Sequence, residues 1–292
     1  MSLLPYLHEP SRILRKVRWS LMQSRQDCVE LTAETWNGRL TFNSGDRLIS
    51  KFLYVRRAYE QHYVTQVIDY LDRARLRSTK RDVVLDVGAN IGMIAIALVK
   101  HGWFRHAVAF EPEPDNFRLL EHNVRQNGYE LEIECRQVAL SSQSGEFDLM
   151  LDEGNSGGHF IQNESHGPDS ATPRRHVRIK TVSCDELLDG QLSHLADRVG
   201  LVWMDIEGHE GHFLEGASKT LARGIPVVSE FYPRAIERAG TSRQEYLELV
   251  RQRFTHVCTC SDGHFVEQPI SAVAGFFDQY AGDGTNVIYL RR

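Results

Sequence analysis

Asp86, Gly88, Gly92 and Glu111 form a pattern of residue types and spacing that suits nucleotide binding. An apolar, β-branched run ends in an acid, a turn with two glycines opens into a helical stretch, and the next apolar run also ends in an acid. Glycine allows a sharp turn and a close approach of the backbone to a ligand. An acid roughly 20 residues after such a turn suits the hydroxyls of a ribose. These residues predict the nucleotide site of a doubly wound α/β fold.

The position of Asp86 narrows the class of nucleotide. A dinucleotide site presents a helix N-terminus to a pyrophosphate, and a carboxylate just before the first glycine would repel that group. S-adenosylmethionine (SAM) carries an amino group, a sulfonium and a ribose, and it has no phosphate. We therefore interpret the chain as a methyltransferase with SAM as its cofactor.

Each residue of this predicted site has an expected role. Glu111 is expected to accept the ribose hydroxyls, and Asp86 with Asn90 to orient the amino or carboxylate group of the methionine portion. The glycines let the backbone pass close to that portion, and the adenine is expected near the end of the third strand. The predicted cofactor-binding residues are Asp86, Gly88, Asn90, Gly92, Glu111, Pro112, Gln137 and Val138.

Strands and helices alternate from residue 82 onward, which is typical of βαβ units. The predicted fold class is α/β: a doubly wound, mostly parallel, Rossmann-like sheet with helices on both faces. Four predicted strands end in the acids Asp86, Glu111, Asp205 and Glu230. Ligands of open α/β sheets bind beyond the carboxyl ends of the strands. We expect these acids to meet at one rim of the sheet.

Residues 1–80 are interpreted as an N-terminal helix and hairpin extension, and residues 81–292 as the cofactor-binding core. Asn37-Gly38 is a hairpin signal between two short strands. The basic, amphipathic stretch Ser11–Gln23 suits either an anionic membrane surface or, as we favour, a cap helix. Such a cap would pack on the core or mediate a homo-oligomer.

Several longer stretches are each predicted as a single element. The patterns indicate a helix over residues 48–76, a strand over 131–140 and a helix over 210–222. The polar stretch 152–176 is predicted to be a loop, since Gly, Ser, His and Asn dominate it. We expect it either to close over the acceptor or to be a plain surface loop.

Composition limits the classes of partner. The formal net charge of −5 and the pI near 6.2 offer no overall attraction to nucleic acid. The five cysteines include no CxxC pair, so a reducing compartment is expected. The longest apolar run, Met93–Val99, is far shorter than the roughly 20 residues that cross a bilayer. We expect a cytoplasmic enzyme with a small-molecule acceptor, no nucleic-acid partner and no integral membrane segment.

From about Glu60 to its C-terminus, the chain resembles the FkbM family of class I SAM-dependent methyltransferases. The resemblance implies a seven-stranded methyltransferase sheet, Glu60 among the cofactor-binding residues, and O-methylation. The hydroxyls methylated in this family are often on sugars or secondary metabolites, which implies a role in carbohydrate or natural-product biosynthesis. The stretches that carry the resemblance are Tyr59-Glu60, 84–92, 109–112, 138–141, 181–185, 205–210 and 214–217.

Transfer of a methyl group to an unactivated hydroxyl needs alignment and a base. The candidates are Asp205, Glu207, His209 and Glu230. Asp205 is expected to face the reacting methyl group, so it is assigned to the cofactor as well as to catalysis. Glu207 is expected mainly to cap the next helix. His209 and His212 are expected to lie on a solvated helix face, with catalysis by His209 as the alternative.

The sequence is compatible with both a metal-dependent and a metal-independent reaction. Asp205 and Glu230, at neighbouring strand ends, suit Mg²⁺ together with waters and two substrate hydroxyls. A zinc hydrolase is excluded because His209 and His212 are spaced i, i+3, whereas the zincin motif needs i, i+4.

Rival functions lack their signatures. An NAD(P)-dependent sugar oxidoreductase or epimerase of the Rossmann type needs Gly-x-Gly-x-x-Gly and a Tyr-x-x-x-Lys base, and neither stands beside the predicted sheet. A nucleic-acid amino-methyltransferase needs an Asn/Asp-Pro-Pro-aromatic motif, whereas the nearest segment is Glu230-Phe231-Tyr232-Pro233. A further alternative is a protein that binds the cofactor without turnover.

Overall fold

The computed structural model of the chain describes residues 10–24, 28–152, 157–161, 175–261 and 264–292. The helices are α1 (Pro10–Ser24), α2 (Ile49–Arg56), α3 (Gln61–Arg73), α4 (Met93–Lys100), α5 (Pro114–Gln126), α6 (Cys184–Asp189), α7 (Glu210–Gly216), α8 (Ser218–Leu221), α9 (Pro233–Arg238), α10 (Arg243–Arg253) and α11 (Val273–Gln279). Short 3₁₀ turns cover Ser193–Arg198 and Ile270–Ala272.

The strands lie in a large central sheet, a small sheet and an N-terminal hairpin. They are β1 (Glu30–Glu34), β2 (Arg39–Asn43), β3 (Val83–Val87), β4 (His106–Phe110), β5 (Ile133–Arg136), β6 (Ala139–Ser141), β7 (Gly145–Met150), β8 (Phe160–Ile161), β9 (His176–Ser183), β10 (Val199–Met204), β11 (Val227–Phe231), β12 (His256–Ser261), β13 (His264–Pro269) and β14 (Thr285–Leu290).

The central sheet has the order β13-β12-β14-β11-β10-β3-β4-β5. Strands β5, β4, β3, β10 and β11 pair in parallel, and β14 pairs antiparallel with β11 and β12. The chain leaves β3 toward β4 and β5 and later returns on the other side through β10 and β11. The fold is therefore the predicted doubly wound, mostly parallel α/β sheet. Edge strand β13 extends the seven predicted strands to eight in the described part of the chain.

Helices cover both faces of this sheet, and each face has its own hydrophobic core. One core joins β3, β10 and β11 to α6, α7, α10 and α11. The other joins the sheet to α4 and α5 and to side chains of the N-terminal region, including Leu40, Phe42, Leu53 and Val67. The extension thus shares a core with the sheet that it covers. No helix among the described residues has the length and apolarity that crossing a membrane requires.

The prediction of one strand over 131–140 is wrong, because the chain turns sharply inside it. The N–H of Val138 donates to the carbonyl of Arg136 at 3.0 Å, an i to i−2 contact typical of a γ-turn. β5 before this turn belongs to the central sheet, and β6 after it pairs with β9 in the small sheet. The predicted helix 210–222 is likewise divided into α7 and α8.

The predicted single helix over 48–76 is also divided, and this break forms part of the site. α2 ends at Arg56, just before Arg57, and α3 starts just after Glu60; Arg57 and Glu60 have left-handed φ values of 60° and 48°. Apolar periodicity continues across the break, so the pattern gives no sign of it. By contrast, α5 begins at Pro114 as predicted and stops before Gly128, which has a φ of 73°.

Candidate active site

A cleft of about 350 Å³ opens at the carboxyl ends of β3, β4, β10 and β11. This is the rim at which the four strand-end acids were predicted to meet, and it includes all of them. Gly92 and Gln137 are absent from the described lining, and Gln137 is exposed to solvent. The predicted residues that line the cleft are Glu60, Asp86, Gly88, Asn90, Glu111, Pro112, Val138, Asp205, Glu207, His209 and Glu230.

Glu111 is a buried carboxylate with a fixed orientation. One oxygen accepts from the N–H of Asn90 at 2.8 Å, and the other accepts from the N–H of Glu113 at 2.9 Å. Burial raises the pKa of Glu111 to about 8, and these two hydrogen bonds oppose that rise. Each oxygen keeps acceptor capacity beyond its one backbone contact. The site therefore offers a pre-oriented pair of acceptors.

Asp86 connects the end of β3 to the start of α4. Its Oδ2 accepts from the N–H of Ala95 at 2.9 Å, in the first turn of that helix. Burial raises the pKa of Asp86 to about 7. The hydrogen bond to the helix N-terminus stabilises the ionised form. A negative charge is thus available where the strand-to-helix turn meets the cleft.

The two glycines of that turn are required by packing. Gly88 has a φ of 87°, and a Cβ there would lie 1.9 Å from the carbonyl oxygen of Asp205. Gly92 has a φ of 90°, and a Cβ there would lie 2.7 Å from Cδ1 of Leu120. Gly88 therefore allows β10 to approach the turn. Gly92 allows α5 to pack against the turn. This packing gives a reason for a glycine at position 92 that differs from the predicted approach of the backbone to the methionine portion.

Three non-glycine residues of the cleft adopt left-handed backbone conformations. The φ values are 48° for Glu60, 50° for Asn90 and 54° for Glu207. Such conformations cost about 1–2 kcal/mol for a residue with a Cβ. They persist where the surroundings hold them, and they concentrate at functional sites. Here they place three polar side chains at the cleft.

Asp205, Glu207 and Glu230 form a carboxylate cluster at the ends of β10 and β11. One carboxylate oxygen of each lies within 4.8 Å of the others. Burial, together with neighbouring carboxylates, raises the pKa of Glu207 to about 8 and raises that of Glu230 as well. The surrounding walls of the cleft partly desolvate Asp205 and raise the pKa of its carboxyl group, although the residue is accessible from the cleft. The cluster can accept a proton near neutral pH.

Glu60 brings a further carboxylate to this end of the cleft from the N-terminal region. Burial first, and then the charge of Asp205, raise its pKa to about 7. Its backbone follows Tyr59, which Asn37 holds in place. Asn37 is fully buried, although the sequence pattern predicted it only as a turn residue.

His209 is buried, so the expectation of a solvated helix face is wrong for this residue. Its Nε2 lies 2.9 Å from the hydroxyl oxygen of Ser141, and its ring stacks on His212 with centroids 4.3 Å apart. Burial and the neighbouring His212 hold the pKa of His209 well below its usual value. The imidazole is therefore neutral at pH 7.

Glu207 does not cap the helix that follows it, contrary to expectation. α7 begins at Glu210, whose own carboxylate accepts from the N–H of Gly208 at 3.3 Å. The left-handed backbone of Glu207 separates it from that helix and leaves its side chain in the cleft lining.

Several lining residues were missed from the sequence. Trp203 belongs to β10, two residues before Asp205, and it meets the ring of Tyr63 edge-on with centroids 5.8 Å apart. The position of Trp203 near the end of a predicted strand could have indicated that it lines the cleft. Gly157 and His159 were not missed: they belong to the stretch 152–176, which was expected either to close over the acceptor or to be a surface loop, and both line the cleft. That stretch is not a loop throughout, because Phe160–Ile161 forms β8. Its residues 153–156 and 162–174 lie outside the described residues.

The sequence profile of the methyltransferase FkbM domain matches residues 86–258, which is more than half of the chain. The chain belongs to the FkbM methyltransferase family. It is therefore a SAM-dependent methyltransferase, and the oxidoreductase alternative is excluded. No curated protein matches the chain.

Solved structures resemble this FkbM methyltransferase only distantly. A putative O-methyltransferase from Klebsiella pneumoniae is 12% identical, with 80% of this chain and 81% of that chain covered and a TM-score of 0.38. A SAM-dependent O-methyltransferase from Thermotoga maritima is also 12% identical, with 89% and 77% covered and a TM-score of 0.40. An RNA methyltransferase from Salinibacter ruber, in complex with S-adenosyl-L-homocysteine, is 17% identical, with 56% and 74% covered and a TM-score of 0.30.

The matched range does not include the whole cleft of this FkbM methyltransferase. It contains Asp86, Glu111 and the carboxylate cluster, but it begins after the lining residues Ile49, Tyr59 and Glu60. The N-terminal wall of the cleft is thus built by residues that precede the family match.

Proposed function

We propose that this FkbM methyltransferase transfers the methyl group of SAM to a hydroxyl of a small molecule, a sugar or a sugar-bearing secondary metabolite. The observation that carries this proposal is the carboxylate cluster of Asp205, Glu207 and Glu230. The cluster lies beside the glycine turn that we assign to the cofactor, because the backbone of Asp205 approaches Gly88 closely. A hydroxyl group needs such proton acceptors, whereas the sulfonium methyl is already activated.

The cofactor roles follow the geometry of the turn. Glu111 would accept the ribose hydroxyls with the lone pairs that its backbone contacts leave free. Asp86 and Glu60 would supply negative charge for the amino and sulfonium groups, with Asn90 as a further polar contact. Gly88, Pro112 and Val138 complete the proposed cofactor site.

The acceptor would bind beside the carboxylate cluster. As the bond from the acceptor oxygen to the methyl carbon forms, the carbon–sulfur bond breaks and the hydroxyl proton passes to a carboxylate. The products are a methyl ether and S-adenosylhomocysteine (SAH). We place Asp205 first as the base, because it is open to the cleft, with Glu230 and Glu207 beside it. Neutral His209 is less suited, since its Nε2 is engaged with Ser141.

Charge in the cleft favours an acceptor without phosphate. Its described lining contains acids and no Lys or Arg side chain. A phosphorylated sugar would find no basic partner in this lining, and the ionised carboxylates of the cluster would repel it unless they hold a cation. A neutral polyol or an amino sugar would not be repelled, which narrows the proposed class of acceptor.

The same carboxylates suit a divalent cation. Three oxygens within 4.8 Å of one another match the hard ligands that Mg²⁺ prefers. Asp205, Glu207 and Glu230 would hold the ion, which when bound lowers the pKa of a coordinated hydroxyl. Metal dependence is part of the proposal, and measuring turnover with and without a chelator tests it.

Calorimetric titration with SAH, followed by a methyl-transfer screen of hydroxylated acceptors, tests the proposal. We expect Glu111→Ala to weaken SAH binding by about 10²–10³-fold, because two charge-assisted hydrogen bonds to the ribose are lost. Glu121→Ala, at an exposed glutamate of α5, should leave the affinity unchanged. Equal affinity of both variants would refute the cofactor site. Transfer to phosphorylated acceptors in preference to neutral ones would refute the acceptor class.

A further inference from the structure

Helix α1 is held on α2 by one of its faces. Trp19 is buried and contacts Tyr54, with ring centroids 5.6 Å apart. The Nε of Arg15 donates to the carbonyl of Val55 at 3.0 Å. These contacts fix the rotation of α1 about its own axis, and so they determine which side chains face outward.

The outer face of α1 is apolar. It consists of Ile13, Leu14, Val17 and Leu21, which are 41%, 61%, 53% and 60% exposed. These are four of the eight large apolar side chains that are exposed among the described residues. Their close helical spacing places them on one stripe of the helix. Concentrated apolar exposure of this kind marks a contact surface.

Two basic side chains flank this outer face, and the stretches that form α1 and α2 are basic as a whole. Lys16 and Arg18 flank it on α1, and both are exposed. The stretches 10–24 and 47–58 contain no Asp or Glu, although the whole chain is acidic. These stretches contain eight basic residues, and the formal net charge of the whole chain is −5. The formal net charge of the rest of the chain is therefore −13. The eight basic residues are Arg12, Arg15, Lys16, Arg18, Arg47, Lys51, Arg56 and Arg57.

We propose that α1 docks the enzyme on an anionic phospholipid surface. The outer face would enter the boundary between headgroups and acyl chains, while the flanking basic side chains meet lipid phosphates. The docking does not depend on the proposed function. The docking would also place the cleft near the lipid, because α2, on which α1 packs, begins at the cleft. Its first residue, Ile49, and the preceding Leu48 both line the cleft.

Other occupants fit this surface less well. A second copy paired through α1 would bring together stretches that contain Lys and Arg but no Asp or Glu, which is electrostatically unfavourable. A nucleic acid would neutralise the charges but would leave the outer face in water. The inner face of α1 packs on α2, as a cap helix would, and the exposure of its outer face favours the anionic membrane surface, the alternative from the sequence, as the occupant of that face.

Vesicle sedimentation of the full chain tests the docking. Phosphatidylcholine vesicles are compared with vesicles in which about one third of the lipid is phosphatidylglycerol. We expect binding to the anionic vesicles only, and its loss at high salt, which screens surface charge. Equal or absent binding to both vesicle types would overturn the proposal.

Paired variants separate the two contributions to binding. Leu14→Ser with Leu21→Ser should remove binding, and Lys16→Glu with Arg18→Glu should weaken it at least about 25-fold, near fivefold per basic side chain. Leu131→Ser, at a side chain that is 90% exposed, is the matched control and should bind normally. Unchanged SAH affinity shows that each variant is folded. A dimer in sedimentation equilibrium that Leu14→Ser dissociates, without vesicle binding, would overturn the proposal and identify a second copy as the occupant.

Discussion

Asn37 holds the backbone of Tyr59 at both of its polar groups. The Oδ1 of Asn37 accepts from the N–H of Tyr59 at 2.8 Å, and its Nδ2 donates to the carbonyl of Tyr59 at 3.1 Å. The same Nδ2 donates to the carbonyl of Met93 in α4 at 3.1 Å. One fully buried side chain from the N-terminal hairpin therefore joins the segment before Glu60 to the helix that follows the glycine turn.

Replacing Asn37 should loosen the N-terminal wall of the cleft. Asn37→Ala removes the side-chain partner of three backbone groups, so we expect the free energy of unfolding to fall by roughly 2–4 kcal/mol. Because Glu60 follows Tyr59, SAH affinity should fall by about tenfold at temperatures where the variant is folded. Denaturant unfolding and calorimetry measure the two effects.

A second asparagine of the same hairpin provides the control. Asn43 is exposed, and its Oδ1 accepts only a local contact from the N–H of Gly45 at 2.8 Å among those described. Asn43→Ala should cost under about 1 kcal/mol and leave SAH affinity unchanged. Equal losses for both variants would contradict a specific role for Asn37.

Gly88→Ala should disrupt the contact between the glycine turn and β10. A Cβ at Gly88 would lie 1.9 Å from the carbonyl oxygen of Asp205, in addition to the strain of a φ of 87°. Gly102 also has a positive φ, of 69°, but a Cβ at that position would meet nothing within 4 Å. Gly102→Ala is therefore a control that introduces the backbone strain without a steric clash. We expect about 1–2 kcal/mol of destabilisation for Gly102→Ala and at least about 3 kcal/mol for Gly88→Ala. Thermal unfolding measures both losses of stability. Equal losses for Gly88→Ala and Gly102→Ala would contradict a specific clash between the turn and the backbone that follows β10.

The parts of the fold that sequence patterns predict are those governed by local chemistry. The strand ends at Asp86 and Glu111, the Pro114 start of α5 and the Asn37-Gly38 turn all depend on neighbouring residues. The doubly wound, mostly parallel character of the central sheet follows from the alternation of strands and helices together with the handedness of their connections.

The features that the sequence did not predict depend on contacts between residues that are distant in the chain. The break between α2 and α3 persists because Asn37, 22 positions from Tyr59, holds the backbone there. The burial of His209 depends on Ser141, 68 positions away. Neither contact leaves a periodic signal, so the sequence predicted which acids approach the cleft but not how its N-terminal wall is built.

Glu230→Gln should separate catalysis from cofactor binding. The change replaces a titratable carboxyl group of the carboxylate cluster by an amide, and so it removes one proposed proton acceptor beside the bound substrate. We expect kcat to fall about 10–10³-fold, with SAH affinity changed less than about threefold. Glu237→Gln, a change on α9 outside the described cleft lining, should leave both quantities unchanged. A loss of SAH affinity equal to the loss of kcat would assign Glu230 to the cofactor instead.

Acidification should weaken SAH binding while it stabilises the ligand-free protein. Burial raises the pKa of Glu111 to about 8 and that of Asp86 to about 7, and the proposed ribose and amino contacts need the ionised carboxylates. SAH affinity should therefore fall as the pH drops below about 8, by up to tenfold per pH unit for each group. Between the ordinary carboxyl pKa and the raised one, the folded state binds more protons than the unfolded state. The free energy of unfolding therefore decreases as the pH rises through that window. Calorimetry and denaturant unfolding across about pH 6–9 measure both slopes. Glu111→Gln should flatten the affinity profile, and an affinity of the unaltered protein that stays constant with pH would refute the assignment of these two carboxylates.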